Sequence, residues 1–442
     1  MTPREAAVLS LNSAFKNGRF VNLELDSTIK KYGFEDKDKS FYTRLLYGTV
    51  EKRLTLDHYL SRISERELSK IEPLVRCILE TALYQIFEMD RVPDSAACDQ
   101  ATELVKRLCP GSYAGFVNAI LRNTVRKKDA LRAEVRALTG LRGVSIRYSI
   151  PEWICESWES DYGTGAAEQI AHGFENIPPH LTLHINTLKL SADGYFAMLD
   201  KSLCPRKIGD SVITLSGSAP VESLPGFDEG YFFIQDESSA LCAALVSASV
   251  AGIPAPTVID TCACPGGKTF AIAIGTKNRG TLYSFDLHAN RLSLIERGTK
   301  RLGITSVKTE ARDARTPDSA LFDKADAVLC DVPCSGLGIL AKKPDIRYKK
   351  KEDIGRLPEI GLEILCQSAK YVKPGGTLVY STCTLNKAEN ENNAAAFLAQ
   401  NPEFEPARLA FRGAENGCKT FFPQTDGTDG FFVAKFIRKN KA

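Results

Sequence analysis

The sequence has little that would direct it into a membrane, out of the cell or onto a nucleic acid by charge alone. Its longest apolar stretch, near residues 240–256, is broken by serines and prolines and is too short to cross a bilayer. The first residues, MTPREAAVLSLN, lack the basic start and apolar centre of a signal peptide. The formal net charge is only +3, so any nucleic-acid surface must be a local patch. We therefore expect a soluble cytoplasmic protein without a membrane partner.

Several common site motifs are also missing. Paired C-x-x-C motifs are absent, so we expect no bound metal. The chain has five histidines, and only His288 lies near the turns described below, which argues against a Cys–His hydrolase. The spacing of a Walker-type loop and the pattern G-x-G-x-x-G are absent, which disfavours ATP and NAD. The thirteen cysteines are expected to be mostly buried thiols in a reducing compartment.

Two changes in sequence pattern divide the 442 residues into three predicted domains. In residues 1–144 apolar side chains recur at helical spacing, as at Val8, Leu11 and Phe15, and strand-like alternation is scarce. This pattern predicts an all-α bundle. Residues 145–235 mix helical and strand-like segments and predict a small α/β domain that links the bundle to the rest.

Residues 236–442 repeat the order strand, turn, helix. The strand-like segments are TVIDTC (257–262), TLYSFD (281–286), SVKTE (306–310), ADAVLCD (325–331) and GTLVYS (376–381). Alternating strands and helices predict a doubly wound, mostly parallel sheet. The last helix of this series is expected to end at Lys373-Pro374-Gly375-Gly376, since proline and glycine stop helices.

A glycine-containing turn follows the first predicted strand. DTCACPGGKT (260–269) places Gly266 and Gly267 after this strand and before a helix, where free N–H donors face a ligand. Asp286 ends the second strand, where an acid can bind a ribose, and Asp313 follows the third, where a polar side chain can meet an adenine. The order of these residues favours S-adenosylmethionine over the alternative, a plain turn with surface acids.

Two cysteines follow the fourth and fifth predicted strands. Cys334 lies in DVPCSG (331–336) and Cys383 in STCTL (381–385). Neighbouring strands lie about 4.8 Å apart, so both thiols are expected to face one pocket beside the methyl donor. A thiolate that adds to carbon 6 of a pyrimidine makes carbon 5 nucleophilic toward a methyl group on sulfur. Asp331 can hold the amine and ring nitrogen of cytosine. The spacing leaves open which cysteine attacks, and each alone could be an inert buried thiol.

These motifs resemble the RNA cytosine-5 methyltransferase family, most closely its bacterial 16S ribosomal RNA methyltransferase B type. DTCACPGGKT is similar to the family's first cofactor motif, DVPCSGLGIL with KKPDIRY to its proline–cysteine motif, and STCTLNKAENE to its threonine–cysteine motif. QDESS (235–239) matches the entry into the catalytic domain. ALYQIF (82–87) and GFVNAILRN (115–123) resemble a NusB-type RNA-binding domain. The resemblance implies a NusB-like bundle followed by a linker domain and a Rossmann-like methyltransferase domain.

The resemblance also implies roles for the site residues. It makes Cys383 the nucleophile and Cys334 the thiol that assists release of the product, and with Asp331 these are the predicted catalytic residues. The contacts that it implies with S-adenosylmethionine come from Cys262, Ala263, Cys264, Pro265, Gly266, Gly267, Lys268, Asp286, Asp313 and Asp331.

Two basic segments are candidates for binding RNA. LRNTVRKKDALRAEVRALTGLRG (121–143) carries seven lysines and arginines, and AKKPDIRYKKK (341–351) carries six together with Tyr348. The expected partner is 16S ribosomal RNA, bound by a monomer. The alternatives are a tRNA or DNA cytosine-5 methyltransferase and an RNA-binding assembly or antitermination factor without catalysis. The two thiols argue against loss of catalysis, and the helical domain argues against DNA.

Overall fold

The structure is a computed structural model that describes residues 1–17, 21–109, 111, 113–178, 180–217, 219–409, 411 and 413–440. The chain divides into two compact units, which are Met1–Glu175 with Leu340–Lys349 and Asn176–Ile339 with Lys350–Ala442. This division is based on which residues pack closely together. It does not test the boundaries of the three predicted domains, which stay a prediction. Among the described residues, no helix combines the length and apolar character needed to cross a membrane.

The first unit is helical, as its sequence predicts. Its helices are α1 (Pro3–Asn17), α2 (Val21–Tyr32), α3 (Asp36–Glu51), α4 (Arg53–Ile63), α5 (Pro73–Glu88), α6 (Asp94–Leu108), α7 (Ala114–Ala137), α8 (Gly140–Tyr148), α9 (Glu152–Tyr162) and α10 (Ala166–Glu175). The most buried of them is α5, where every side chain from Cys77 to Phe87 is inside the bundle. It begins at Pro73 because Glu72 accepts a hydrogen bond from the Val75 N–H at 2.8 Å.

The second basic segment is only partly available to a partner. The Arg347 side chain is 3% exposed, and its Nη1 donates to the backbone oxygens of Tyr148 at 2.8 Å and Ser149 at 3.1 Å. The Tyr348 hydroxyl donates to the Val50 oxygen at 2.7 Å. Arg347, one of the six cations of this candidate RNA-binding segment, is therefore not available to phosphates, because its charge satisfies carbonyl groups inside the first unit.

A small antiparallel sheet begins the second unit. It consists of β1 (Leu181–Ile185), β2 (Pro205–Ile208), β3 (Val212–Leu215) and β4 (Phe232–Ile234), with α11 (Ala192–Met198) after β1. The strand order is β2-β3-β1-β4, and each pairing is antiparallel. The strand-like segments LTLHIN (181–186), SVITLSG (211–217) and YFFIQD (231–236) predict β1, β3 and β4, whereas β2 is not predicted because it begins with a proline and carries two cations.

A larger sheet forms the rest of the second unit. Its strands are β5 (Thr257–Asp260), β6 (Thr281–Asp286), β7 (Val307–Ala311), β8 (Ala325–Asp331), β9 (Val372–Thr382), β10 (Phe404–Pro406), β11 (Cys418–Phe421) and β12 (Phe431–Arg438). The helices around it are α12 (Glu237–Ser249), α13 (Gly267–Gly275), α14 (Ala289–Leu302), α15 (Lys351–Ile354), α16 (Leu357–Ala369), α17 (Glu391–Gln400) and α18 (Pro423–Asp426).

The order of strands in this sheet is β10-β12-β9-β8-β5-β6-β7, and β11 pairs with β12. The strands from β5 to β9 pair in parallel, and β12 runs antiparallel to β9. Both faces are covered, because Ala327 and Leu329 of β8 belong to one buried cluster and Val328 and Cys330 to another. The doubly wound, mostly parallel sheet is confirmed, and the carboxyl ends of its parallel strands lie along one edge.

The predicted end of the last helix is wrong. The helix α16 ends at Ala369, and the KPGG residues 373–376 lie inside β9. Ala325 of β8 pairs with Val372, whereas Ala327 pairs with Thr377, so these four residues bulge out of the ladder. Proline and glycine here interrupt a strand pairing, which local sequence does not distinguish from the end of a helix.

Candidate active site

The glycine turn is fastened by its backbone to both neighbouring strands. The Thr261 N–H donates to the Leu329 oxygen of β8 at 3.0 Å, and the Ala263 N–H donates to the Phe285 oxygen of β6 at 2.7 Å. Gly266 has a φ of +113°, and a Cβ at this position would lie 2.6 Å from Cζ of Phe270. The turn therefore needs glycine here for its backbone conformation and for space, and α13 begins directly after it.

Asp286, at the end of β6, lies against this turn. Its carboxylate accepts hydrogen bonds from the N–H groups of Cys264 at 3.3 Å and His288 at 3.0 Å. Arg291 lies 3.6 Å from the same carboxylate. These contacts fix the position of an acid beside the turn, where the sequence predicts a ribose contact.

Asp313 follows β7 but has a different environment. Its carboxylate pairs with the Arg315 side chain, with 2.7 Å between Oδ2 and Nη2. The hydrogen bonds from Arg315 lower the pKa of Asp313 below its ordinary value. Among the described residues, Asp313 forms no hydrogen bond with the glycine turn. Asp313 is therefore held in place by Arg315 and not by a hydrogen bond to the turn.

Asp331 and Lys268 join the turn to the end of β8. Lys268 Nζ lies 2.7 Å from Oδ2 of Asp331, and the Ser381 hydroxyl donates to Oδ1 at 2.6 Å. Burial is the largest single influence on the pKa of Lys268 and lowers it, but the charge and hydrogen bond of Asp331, together with Cys242 and Cys383, raise this pKa above its ordinary value. Asp331 and Ser381 are opposite each other in the ladder of β8 and β9. Sequence reasoning missed Ser381, although a hydroxyl two residues before Cys383 on a neighbouring strand was a usable signal.

The two cysteines meet at the ends of β8 and β9. Their Sγ atoms lie 3.2 Å apart, and the Cys383 N–H donates to Sγ of Cys334 at 3.3 Å. The hydrogen bond with Cys383, together with burial, raises the pKa of Cys334 well above its ordinary value. The strand order predicts this arrangement, which places a protonated thiol against a second sulfur atom.

The two cysteines of the glycine turn differ from this pair. Burial raises the pKa of Cys262 well above its ordinary value and that of Cys264 to about 12. Both are therefore protonated at neutral pH, and neither has a second sulfur atom as a hydrogen-bond partner among the described residues. What they can offer a ligand is their backbone in the turn.

A buried amide beside the turn gives a test of whether S-adenosylmethionine fits. Gln235 Oε1 is 2.8 Å from Nδ1 of His184, which is neutral because burial lowers its pKa to about 4. The Nε2 atom of Gln235 has no hydrogen-bond partner among the described residues, and it lies 3.6 Å from the place of a Cβ on Gly267. The amide N–H donor of Gln235 therefore lies beside the N-terminus of α13, and both groups favour a carboxylate. S-adenosylmethionine carries a carboxylate, so these residues fit it.

Metal ligands are not part of this arrangement. Across the described ranges, no group of three or more histidine, cysteine or acidic side chains is placed to hold a metal ion.

Three family models match successive parts of the chain. Residues 1–126 match the NusB family, and residues 150–222 match the ferredoxin-like domain of RsmF/B-like methyltransferases. Residues 251–437 match the model described as 16S rRNA methyltransferase RsmB/F. The helical, small α/β and doubly wound regions thus each have a counterpart in one known arrangement of domains.

Relatives match the chain over almost its full length. A probable ribosomal RNA small subunit methyltransferase B from Bacillus subtilis is 36% identical over 99% of this chain and 98% of its own. A protein of the same name from Synechocystis is 31% identical over 98% and 99%. The crystal structure of PH0851 covers 100% of this chain and 99% of its own with a TM-score of 0.80 at 24% identity, which shows a shared fold.

Proposed function

The chain belongs to the family of ribosomal RNA small subunit methyltransferases B, and on this premise we propose that it methylates carbon 5 of a cytosine in 16S ribosomal RNA. S-adenosylmethionine is the methyl donor of this enzyme. The observation that carries the choice of cytosine and of carbon 5 is the pair of sulfur atoms 3.2 Å apart beside Asp331. One thiolate is needed to activate the ring, and a second thiol beside it can assist its departure.

The proposed reaction begins at Cys383. Its thiolate forms a bond to carbon 6 of the cytosine, and the electron pair of the 5,6 double bond makes carbon 5 nucleophilic. The proton that Cys383 loses on forming its thiolate is taken up by the ring nitrogen, and Asp331 accepts hydrogen bonds from this N–H and from the exocyclic amine, which stabilises the charge that develops during addition. S-adenosylmethionine, when bound at the turn, supplies a methyl group on a positively charged sulfur atom.

Release of the product requires the sulfur–carbon bond to break. A water molecule takes the proton of carbon 5, the 5,6 double bond forms again, and the electron pair of the S–C6 bond returns to Cys383 as the ring nitrogen gives up its proton to the thiolate. Cys334 keeps its proton because its pKa is raised, and its sulfur lies 3.2 Å from the departing one. A thiol at this distance can donate a hydrogen bond to the leaving thiolate, so we assign Cys334 to release.

We propose that the donor is held by the turn and by the acids at the strand ends. The backbone from Cys262 to Gly267 and the start of α13 provide N–H donors, and Gln235 adds its buried amide. The complete set of proposed contacts is Cys262, Ala263, Cys264, Pro265, Gly266, Gly267, Lys268, Asp286, Asp313 and Asp331, with Gln235 added from its position in the structure.

The exposed face of α7 supports the proposal that RNA binds to the first unit. Arg122, Arg126 and Arg136 are exposed along this helix. Lys128 pairs with Asp94 at 3.0 Å, so it is less available. We propose that the exposed arginines bind phosphates and that affinity falls steeply with salt. We further propose that the enzyme acts as a single chain, because all the proposed catalytic and donor contacts come from one unit of one chain. The proposed location is the cytoplasm, as expected from the sequence.

Bisulfite sequencing of 16S ribosomal RNA tests the proposed function. Cells that lack the protein should lose 5-methylcytosine at one position, and the wild-type gene should restore it. The Cys383→Ala variant should fail to restore it although it is expressed at the same level. Retention of every 5-methylcytosine of 16S RNA in cells that lack the protein contradicts the proposal, and loss of a mark in tRNA instead of 16S RNA redirects it to that substrate.

A further inference from the structure

A buried carboxylate that the proposed reaction does not use lies behind the two cysteines. Glu389 is 2% exposed, and its Oε2 accepts a hydrogen bond from the Ser335 N–H at 2.8 Å. Its Oε1 accepts from the Ser335 hydroxyl at 2.6 Å and from Nδ2 of Asn386 at 2.9 Å. A buried acid with three donors is costly to lose, because those donors would be left without partners.

The hydrogen bonds of Glu389 extend to both cysteine segments. Ser335 directly follows Cys334, and its Oγ lies 2.6 Å from Oγ1 of Thr384, which directly follows Cys383. The Ser335 hydroxyl has one proton, which it gives to Glu389, so Thr384 is the donor in the second bond. Glu389 therefore orders a chain of contacts that connects the residues next to both thiols.

We propose that Glu389 is a positioning residue that holds the Cys334 segment against the Cys383 segment and thereby makes release of the product fast. This inference rests on the proposed function, because it assumes that Cys383 attacks and Cys334 assists release. The charge of Glu389 also adds to the effects of the Cys383 hydrogen bond and of burial that raise the pKa of Cys334. The acid thus supports both the place and the protonation of this thiol.

The decisive variant is Glu389→Gln. An amide keeps the size of the side chain but directs N–H groups at donors, so the Cys334 segment loses its fixed position. Attack by Cys383 needs no contact with Glu389, so the covalent enzyme–RNA adduct should still form and then persist. We expect kcat to fall roughly tenfold or more, KM for RNA to change little, and adduct on a denaturing gel to increase.

Glu391→Gln is the matched control. Glu391 lies two residues further on, and its Oε1 accepts a hydrogen bond at 2.5 Å from Thr420, which belongs to β11 and to neither cysteine segment. This variant should keep wild-type kcat and show no adduct. A merely structural effect of Glu389→Gln would lower the amount of folded enzyme and the adduct together, whereas the proposal predicts more adduct per folded molecule.

Ser335→Ala provides a second route if Glu389→Gln does not fold. It removes the hydroxyl link to Thr384 but keeps the backbone N–H contact, so we expect the same accumulation of adduct to a smaller extent. The positioning role is overturned if a folded Glu389→Gln variant shows wild-type kcat and no adduct. If Glu389→Gln does not fold, the same result in Ser335→Ala overturns it. Absence of adduct in Cys334→Ala itself would contradict the proposed function instead, so the two failures are distinguishable.

Discussion

The two halves of the candidate site are built in different ways. At the glycine turn the contacts are made by backbone groups, as in the hydrogen bonds of Thr261 and Ala263 to the neighbouring strands. At the thiol pair every contact involves a side chain: the Sγ atoms of Cys334 and Cys383 meet, and the Glu389 carboxylate accepts from the hydroxyl and the N–H of Ser335 behind them. This difference indicates that the first half depends on conformation and the second on the chemical identity of side chains.

The largest effect is expected from Gly266→Ala. The new Cβ would lie 2.6 Å from Cζ of Phe270 at a φ of +113°, so both space and backbone conformation oppose it. The turn would have to move, and we expect binding of S-adenosylmethionine to fall below detection by calorimetry, with a loss of about 1–3 kcal/mol in the free energy of unfolding.

Gly252→Ala is the control for this substitution, since a Cβ there meets nothing within 4 Å and its φ is not in the left-handed region. Normal binding of the donor by a folded Gly266→Ala protein would contradict the view that conformation decides this half of the site.

Asp331→Asn should have the next largest effect, because this carboxylate connects the two halves. The substitution removes the charge that pairs with Lys268 at 2.7 Å while leaving an acceptor for Ser381. We expect kcat to fall about 100-fold and the affinity for S-adenosylmethionine to fall less than tenfold, measured by methyl transfer and calorimetry.

The reverse pattern, with weak binding of the donor and an unchanged kcat, would assign Asp331 to the cofactor half alone. Asp323→Asn, which affects an exposed ion pair with Arg438, is the control and should change neither quantity.

A smaller effect concerns the pH dependence of stability at the turn. Burial raises the pKa of Asp260 from 3.8 to about 7, so the folded protein binds a proton that the unfolded chain has released. Between pH 4 and pH 7 this group therefore lowers stability as the pH rises, with no further change above that range. In Asp260→Asn the melting temperature should depend less on pH than in the wild type.

Thermal melts at pH 5 and pH 7.5 measure this difference. Glu229→Gln, at an exposed acid, should keep the wild-type dependence. An identical pH dependence in Asp260→Asn and wild type would show that Asp260 is ionised in the folded protein.

The same contrast explains what the sequence could predict. The turn and the acids at the ends of β6 and β8 follow from local order, since a strand, a glycine pair and a helix are read from adjacent residues. The approach of Cys334 and Cys383 follows from the parallel order of strands. Both features depend on patterns within short segments, together with one general rule for doubly wound sheets.

Other features depend on partners that are distant in sequence. Arg347 looks like a surface cation, and only the carbonyl groups of Tyr148 and Ser149 make it a buried one. Glu389 looks like one acid among several, and its role emerges only from contacts with Ser335. The strands β10 to β12 were missed because β12 pairs with β9 from the end of the chain, and β10 and β11 are strands only through their pairing with β12. Side-chain contacts of this kind cannot be derived from periodicity.

The most direct test of the account compares two cysteine variants on a denaturing gel, after incubation with 16S ribosomal RNA and S-adenosylmethionine. Cys334→Ala should accumulate a covalent RNA–protein adduct, and Cys383→Ala should form no adduct and transfer no methyl group. An adduct with Cys383→Ala but not with Cys334→Ala would reverse the two assignments, and undiminished methyl transfer by both variants would contradict covalent catalysis at this site.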